Sequence, residues 1–141
     1  MRNLFLLITV LFWGLASGQV TEQFSDGDFT QNPIWFGSGS QWTVDSLQLR
    51  SSATGTNQRF FISTFSSPDT TLQLTVDVTL SFNPSSLNYV DVFVLSTDTN
   101  LLSTTSAGYF IRLGGTDDEI AFYRKEGPTN IKIIDGTNGG L

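Results

Sequence analysis

The sequence predicts an all-β protein, an antiparallel β-sandwich, and three observations carry that expectation. Apolar and polar residues alternate with a period of two in run after run. No window after residue 18 repeats apolar residues at the helical spacing of i, i+3, i+4 and i+7. Clusters of Gly, Pro, Asn, Asp and Ser separate the alternating runs at strand-length intervals.

Residues 1–18 stand apart from this pattern. Met1-Arg2-Asn3 supplies a short positive start, residues 4–13 form an apolar run interrupted by Thr9, and Ala16-Ser17-Gly18 places small residues at cleavage positions. Cleavage between Gly18 and Gln19 is expected. The apolar stretch ends near Leu15, short of the roughly 20 residues that a bilayer span needs. Residues 1–18 therefore read as a signal peptide and residues 19–141 as one β-sandwich domain, secreted or at the cell surface, with no membrane insertion once the signal is removed. A domain of that size buries about two-thirds of its unfolded surface, enough for one core.

Along the mature chain, residues 22–24 and Phe29 bracket a turn at Ser25-Asp26-Gly27-Asp28, and residues 42–44, 47–49 and 59–63 are short strand segments. The cleanest alternation spans residues 71–82. Leu72, Leu74, Val76, Val78, Leu80 and Phe82 point one way, and Thr71, Gln73, Thr75, Asp77, Thr79 and Ser81 the other, which predicts a long, half-buried strand. Asn83-Pro84-Ser85-Ser86 ends it with turn residues. Residues 89–96 are apolar on both faces except at Asp91, the pattern of a central strand. Residues 107–113, 119–125 and 130–134 follow, separated by Gly114-Gly115-Thr116-Asp117-Asp118 and Glu126-Gly127-Pro128-Thr129, and are expected to form a meander. The chain stops just after a strand and a Gly-rich turn, so residues 19–141 are read as the N-terminal piece of a longer protein whose return strands lie elsewhere.

Composition narrows the function classes. Eighteen aromatic residues and a charged fraction of only 14% argue for a folded chain rather than a disordered one. Lys and Arg total 7 against 13 Asp and Glu, and the one basic pair, Arg124-Lys125, lies between Glu119 and Glu126. A nucleic-acid backbone, which requires clustered cations, is therefore not an expected partner. With no Cys there is no disulfide, thiolate metal site, cysteine nucleophile or lipid anchor on sulfur; with no His the usual general base and nitrogen ligand are missing. No Ser sits in a Gly-x-Ser-x-Gly turn.

The run Phe24-Ser25-Asp26-Gly27-Asp28-Phe29-Thr30-Gln31-Asn32-Pro33-Ile34-Trp35, then Trp42-Thr43-Val44 and Leu47-Gln48-Leu49, resembles the opening of a family of exported surface proteins from Bacteroidota. Tyr109 to Gly114, Asp117 to Ile120 and Phe122 to Gly127 resemble the same family, so the likeness covers nearly all of the mature chain. It implies an N-terminal concanavalin-A-like, laminin-G-like jelly roll preceding lamin-tail-type β-modules and a C-terminal sorting domain. It implies nothing specific about activity.

Jelly rolls of that class include glycosidases, whose retaining members set two carboxylates about 5 Å apart. No strand here carries such a pair: Glu119 is followed by Ala121, and Asp77 and Asp91 are solitary, so these acids read as solvated. No catalytic residue and no metal ligand is assigned. Calcium needs only oxygen ligands, and Asp26-Gly27-Asp28 or Asp117-Asp118-Glu119 could supply them, but neither completes a calcium-loop motif and turn formation accounts for both. Trp35, Phe36, Trp42, Tyr89 and Tyr123 offer aromatic faces, of which Trp35, Trp42 and Tyr123 are the candidates for stacking on a sugar ring, against the competing reading as packing anchors. Ser51-Ser52 and Ser103-Thr104-Thr105-Ser106 read as solvated loops. The expected function is a non-catalytic exported module with a structural or adhesive role, its partners glycans or other surface proteins. A carbohydrate-binding module is the alternative, and a glycosidase-like enzyme the third reading.

Overall fold

The computed structural model describes residues 20–66 and 72–141; the expected signal, its cleavage site and Thr71 lie outside them. The described chain is all-β and antiparallel, with a single 3-10 turn at Gly39–Gln41. None of its helices is long and apolar enough to cross a membrane.

Among the described residues eight strands form three sheets. Strand β1 (Trp35–Gly37) pairs with β4 (Ile62–Thr64), and β2 (Trp42–Asp45) pairs with β3 (Gln48–Ser51), giving two short ribbons. Strands β5 (Tyr89–Ser96), β6 (Ala107–Gly114), β7 (Glu119–Glu126) and β8 (Thr129–Ile134) make a four-stranded meander in chain order. The three later strands were expected within a residue or so of these bounds, and their turns explain why. Gly127-Pro128 joins Glu126 to Thr129, which are partners. Gly127 holds φ at 58° and proline cannot adopt a positive φ, so the pair fits a type II′ turn, whose twist matches the strands. Gly114 and Gly115 open the β6–β7 turn at φ of 95° and 100°, and a Cβ on Gly114 would sit 2.8 Å from the Pro84 ring.

The registers divide the four-stranded sheet into two unlike faces. Phe93, Phe110 and Tyr123 stand opposite one another on one face, together with Asp91, Arg112 and Ala121. Val92, Ile111 and Phe122, with Val90, Leu113 and Ile120, occupy the other. Bulges between Phe93 and Leu95 and between Phe122 and Tyr123 adjust the pairing near opposite strand ends. Among the described residues the buried apolar side chains are Phe110, completely covered, and Ala121, so the core lies on the first face.

Three expectations need correcting. Residues 72–82 pair with no strand among the described residues: Leu72, Leu74, Val76, Val78 and Phe82 are all exposed, because alternation sorts side chains to two sides without supplying a neighbour for the backbone. Residues 22–24 are not a strand either; the Glu22 carboxylate accepts from the amides of Gln23 and Phe24 and holds the chain in a local turn instead. Trp35–Gly37, where no strand was expected, is a strand whose partner is supplied by residues nearly thirty positions later.

Candidate functional site

The core-side face of the sheet concentrates the polar chemistry. Phe110 is sandwiched by Phe93 at 4.9 Å and Tyr123 at 5.2 Å, the latter nearly parallel. Arg112 lies beside this stack, with its guanidinium 3.9 Å from the Tyr89 ring centre and 5.1 Å from that of Tyr123. Its Nε and Nη2 donate to the two oxygens of Asp91, each at 2.7 Å, and both side chains are largely withdrawn from water. Burial works against the charged guanidinium, but the hydrogen bond and charge of Asp91 outweigh it and raise the Arg112 pKa. Asp91 was expected on a solvated face. Its cross-strand position opposite Arg112 makes it half of an internal fork instead.

A second cluster closes the β6–β7 end of the same face. Lys132 donates to Asp135 at 2.6 Å, to Asp117 at 3.3 Å and to Glu119, whose other oxygen accepts from the Gly136 amide at 2.9 Å. Glu119 is buried, which corrects its reading as a solvated acid. The hydrogen bond to Asp135, then that to Glu119, raises the Lys132 pKa against a smaller opposing effect of burial, and Lys132 in turn lowers that of Asp135. Two of the three acids in one of the runs put forward for calcium, Asp117 and Glu119, thus surround an ammonium group, which fills the charge role a cation would have. Among the described residues no group of three or more acids is arranged to hold a metal. The other acidic turn, Asp26-Gly27-Asp28, directs Asp28 onto the amides of Thr30 and Gln31; the Thr30 amide is the main cause of its lowered pKa. Ser106, expected in a solvated loop, is buried and donates to the Ser103 carbonyl at 3.1 Å.

The three stacking candidates sit on three strands in three different sheets. Trp35 in β1 is tilted against Phe24 at 6.2 Å, and Trp42 in β2 meets Phe60 edge-on at 5.3 Å. Both indole nitrogens are covered and lack a hydrogen-bond partner among the described residues. Tyr123 in β7 commits one face of its ring to Phe110. Each candidate is partly buried beside another aromatic ring, and no two of them stand on one sheet.

The opposite face of the sheet is open and apolar. Val92, Ile111 and Leu113 form, with Val76 and Val78 of the unpaired segment, a groove of about 280 Å³. Beyond it lie the exposed Leu95, Tyr109, Ile120 and Ile134. Tyr109 stacks on Phe122 at 5.9 Å and 17°, which leaves an aromatic surface turned to solvent. Neither Tyr109 nor the groove stood out in the sequence, where the aromatic residues could not be sorted between faces without the register. Comparison of the chain with protein-family models, curated proteins and solved structures found no match.

Proposed function

We propose that this chain is a non-catalytic exported β-module, a concanavalin-A-like sandwich unit with a structural or adhesive role at the cell surface or outside the cell. One observation carries the reading: every charged side chain on β5–β8 is engaged within the sheet. Asp91 holds Arg112, Lys132 holds Glu119, Arg124 pairs with Glu126 at 2.9 Å, and Lys125 donates to the Gly127 carbonyl at 2.5 Å. Carboxylates tied to cations in this way have their oxygens committed, whereas a general acid or base needs a proton position free to face a substrate. What the sheet presents outward is apolar and aromatic surface, the material of a binding or assembly face.

Production with residues 1–18 in place, followed by mass determination of the exported product, tests the export half; a chain that stays in the cytoplasm with Met1 intact overturns it. Screening the exported protein against polysaccharides, host surface proteins and a panel of glycosidase substrates tests the rest. Turnover of any glycoside would replace the non-catalytic reading with the enzymatic one. A glycan-binding reading is favoured by the solvent-facing Tyr109–Phe122 stack; binding that is lost on Tyr109→Ala but retained on Trp35→Ala and Trp42→Ala would place the sugar on the open face.

A further inference from the structure

Residues 72–82 carry a symmetry that the rest of the chain lacks. Outward from Asp77 the sequence reads almost identically in both directions: Val76 and Val78, Thr75 and Thr79, Leu74 and Leu80, Gln73 and Ser81, Leu72 and Phe82. The segment belongs to no strand among the described residues and makes no backbone hydrogen bond to another described residue. Five of its six apolar side chains, all but Leu80, remain exposed, from 37% at Val78 to 52% at Val76. A row of unpaired amides and carbonyls flanked by such side chains is a template for strand pairing.

We propose that this segment pairs with the same segment of a second copy of the chain, antiparallel about a two-fold axis through Asp77. Antiparallel pairing about that residue sets Val76 opposite Val78, Thr75 opposite Thr79, Leu74 opposite Leu80 and Leu72 opposite Phe82 in both directions. The interface is isologous, as two-fold symmetry requires. All apolar residues of both strands then share one face of the new ribbon, and all polar ones share the other. Val76 and Val78 already line the groove over Val92, Ile111 and Leu113. The ribbon therefore lies with its apolar side on the open faces of two four-stranded sheets, covering them with a second layer. The occupant is a second copy because the side-chain match is with the segment itself. The single charge, Asp77, falls on the axis and on the solvent side, where repulsion between the two carboxylates weakens the pair modestly and is screened by salt.

The absence of cysteine makes the register directly readable. Directly opposed residues in an antiparallel pair have Cα atoms about 4.5–5.5 Å apart, within the range a disulfide spans. Chains carrying Asp77→Cys, Gln73→Cys or Ser81→Cys, produced with residues 1–18 in place and purified as the host delivers them, are oxidised mildly at low micromolar concentration. Asp77→Cys is expected to yield a covalent dimer by itself. Gln73→Cys and Ser81→Cys are expected to form no covalent dimer alone, because each would lie about 27 Å from its own copy, and to cross-link when mixed. Sedimentation of the parent chain should show a dimer that dissociates on dilution, and Asp77→Asn should tighten it several-fold. Equal self-cross-linking at all three positions would indicate parallel stacking or aggregation and overturn the proposal. So would a strictly monomeric parent chain with no Asp77→Cys dimer.

Discussion

The four-stranded sheet and the segment before it are built from the same pattern with opposite outcomes. Residues 72–82 alternate more strictly than any strand of the sheet, yet they pair with nothing described, whereas β6 and β7 mix apolar, charged and small residues and pair along their whole lengths. Each strand of the meander is followed by one that returns beside it, two of the three through tight turns. Residues 72–82 are joined to β5 by only six residues, fewer than the ten between β5 and β6, and still do not pair with it. Alternation decides which side of a strand is apolar; neither it nor a short connection by itself decides whether a partner arrives.

The largest expected effect tests whether stability is concentrated in the sheet. Phe110 is fully covered between two aromatic rings, so Phe110→Ala should cost about 3–5 kcal/mol. At concentrations low enough to keep the chain monomeric, Leu74→Ala, at an exposed site, should change stability by about 0.5 kcal/mol or less. Urea unfolding of both variants checks the contrast, and equal losses would mean that residues 72–82 are packed far more closely than this.

A second contrast separates two ion pairs of similar composition. Arg112 and Asp91 expose 16% and 19% of their side chains, while Arg50 and Asp45 in the β2–β3 ribbon expose 52% and 57%. Removing one member of a withdrawn pair strands the other charge, so Arg112→Ala should cost about 2 kcal/mol, below the cost of breaking a fully buried pair because some water reaches this one. Arg50→Ala should cost about 0.5 kcal/mol or less, since a solvated pair gains little. Denaturation midpoints, with Asp91→Asn and Asp45→Asn completing double-mutant cycles, separate the pairwise energies from the truncations.

Much of this contrast was legible before the structure. The meander followed from Gly-Pro and Gly-Gly punctuation, and β2 and β3 from short alternating runs. Strand β1 was missed because three residues after a proline show no periodicity, and its partner is set by distant chain rather than local turn chemistry. Asp91 did leave a signal: a lone acid in a strand that is apolar on both faces requires a cation opposite it. Identifying Arg112 as that cation needed the β5–β6 register, which a loop of ten residues leaves open. Glu119 left no comparable signal, because Lys132 reaches it across a strand bulge and a turn rather than at a regular spacing.

Acid and alkali should act on the corner around Lys132. The Asp135 carboxyl is held below its ordinary value, so the stabilisation it gives is present above about pH 4 and is lost as pH falls through the lowered pKa. The Lys132 ammonium is held above its ordinary value, so its contribution is full below about pH 10 and is lost as pH rises through the raised one. Unfolding midpoints should therefore form a plateau between these limits. Lys132→Met should lower the plateau, by leaving Glu119 buried without its cation, and flatten the acid limb. Asp28, whose pKa is also lowered, belongs to the other half of the chain and leaves a residual acid limb in that variant.

The smallest effect concerns the one hairpin in the N-terminal half whose turn chemistry is unfavourable. Asp45 and Gln48 are partners, so Ser46-Leu47 is a two-residue turn, and both residues hold positive φ, 54° and 62°, as a type I′ turn requires. Leucine pays a steric penalty there of about 1 kcal/mol and recovers nothing by packing, because its side chain is 64% exposed. Leu47→Gly removes the penalty but adds unfolded-state entropy worth about 0.5–1 kcal/mol. The net gain should thus be about 0.5 kcal/mol or less. Leu47→Asn tolerates the same conformation with less added entropy and should gain at least as much, while Leu47→Val, branched at Cβ, should lose stability. If none of the three moves the midpoint, the β2–β3 ribbon melts before the sheet, and stability measured on the whole chain reports the meander alone. That result would sharpen the division between the two halves rather than erase it, since hydrogen exchange at the β2–β3 amides would then be fast while β6 and β7 stayed protected.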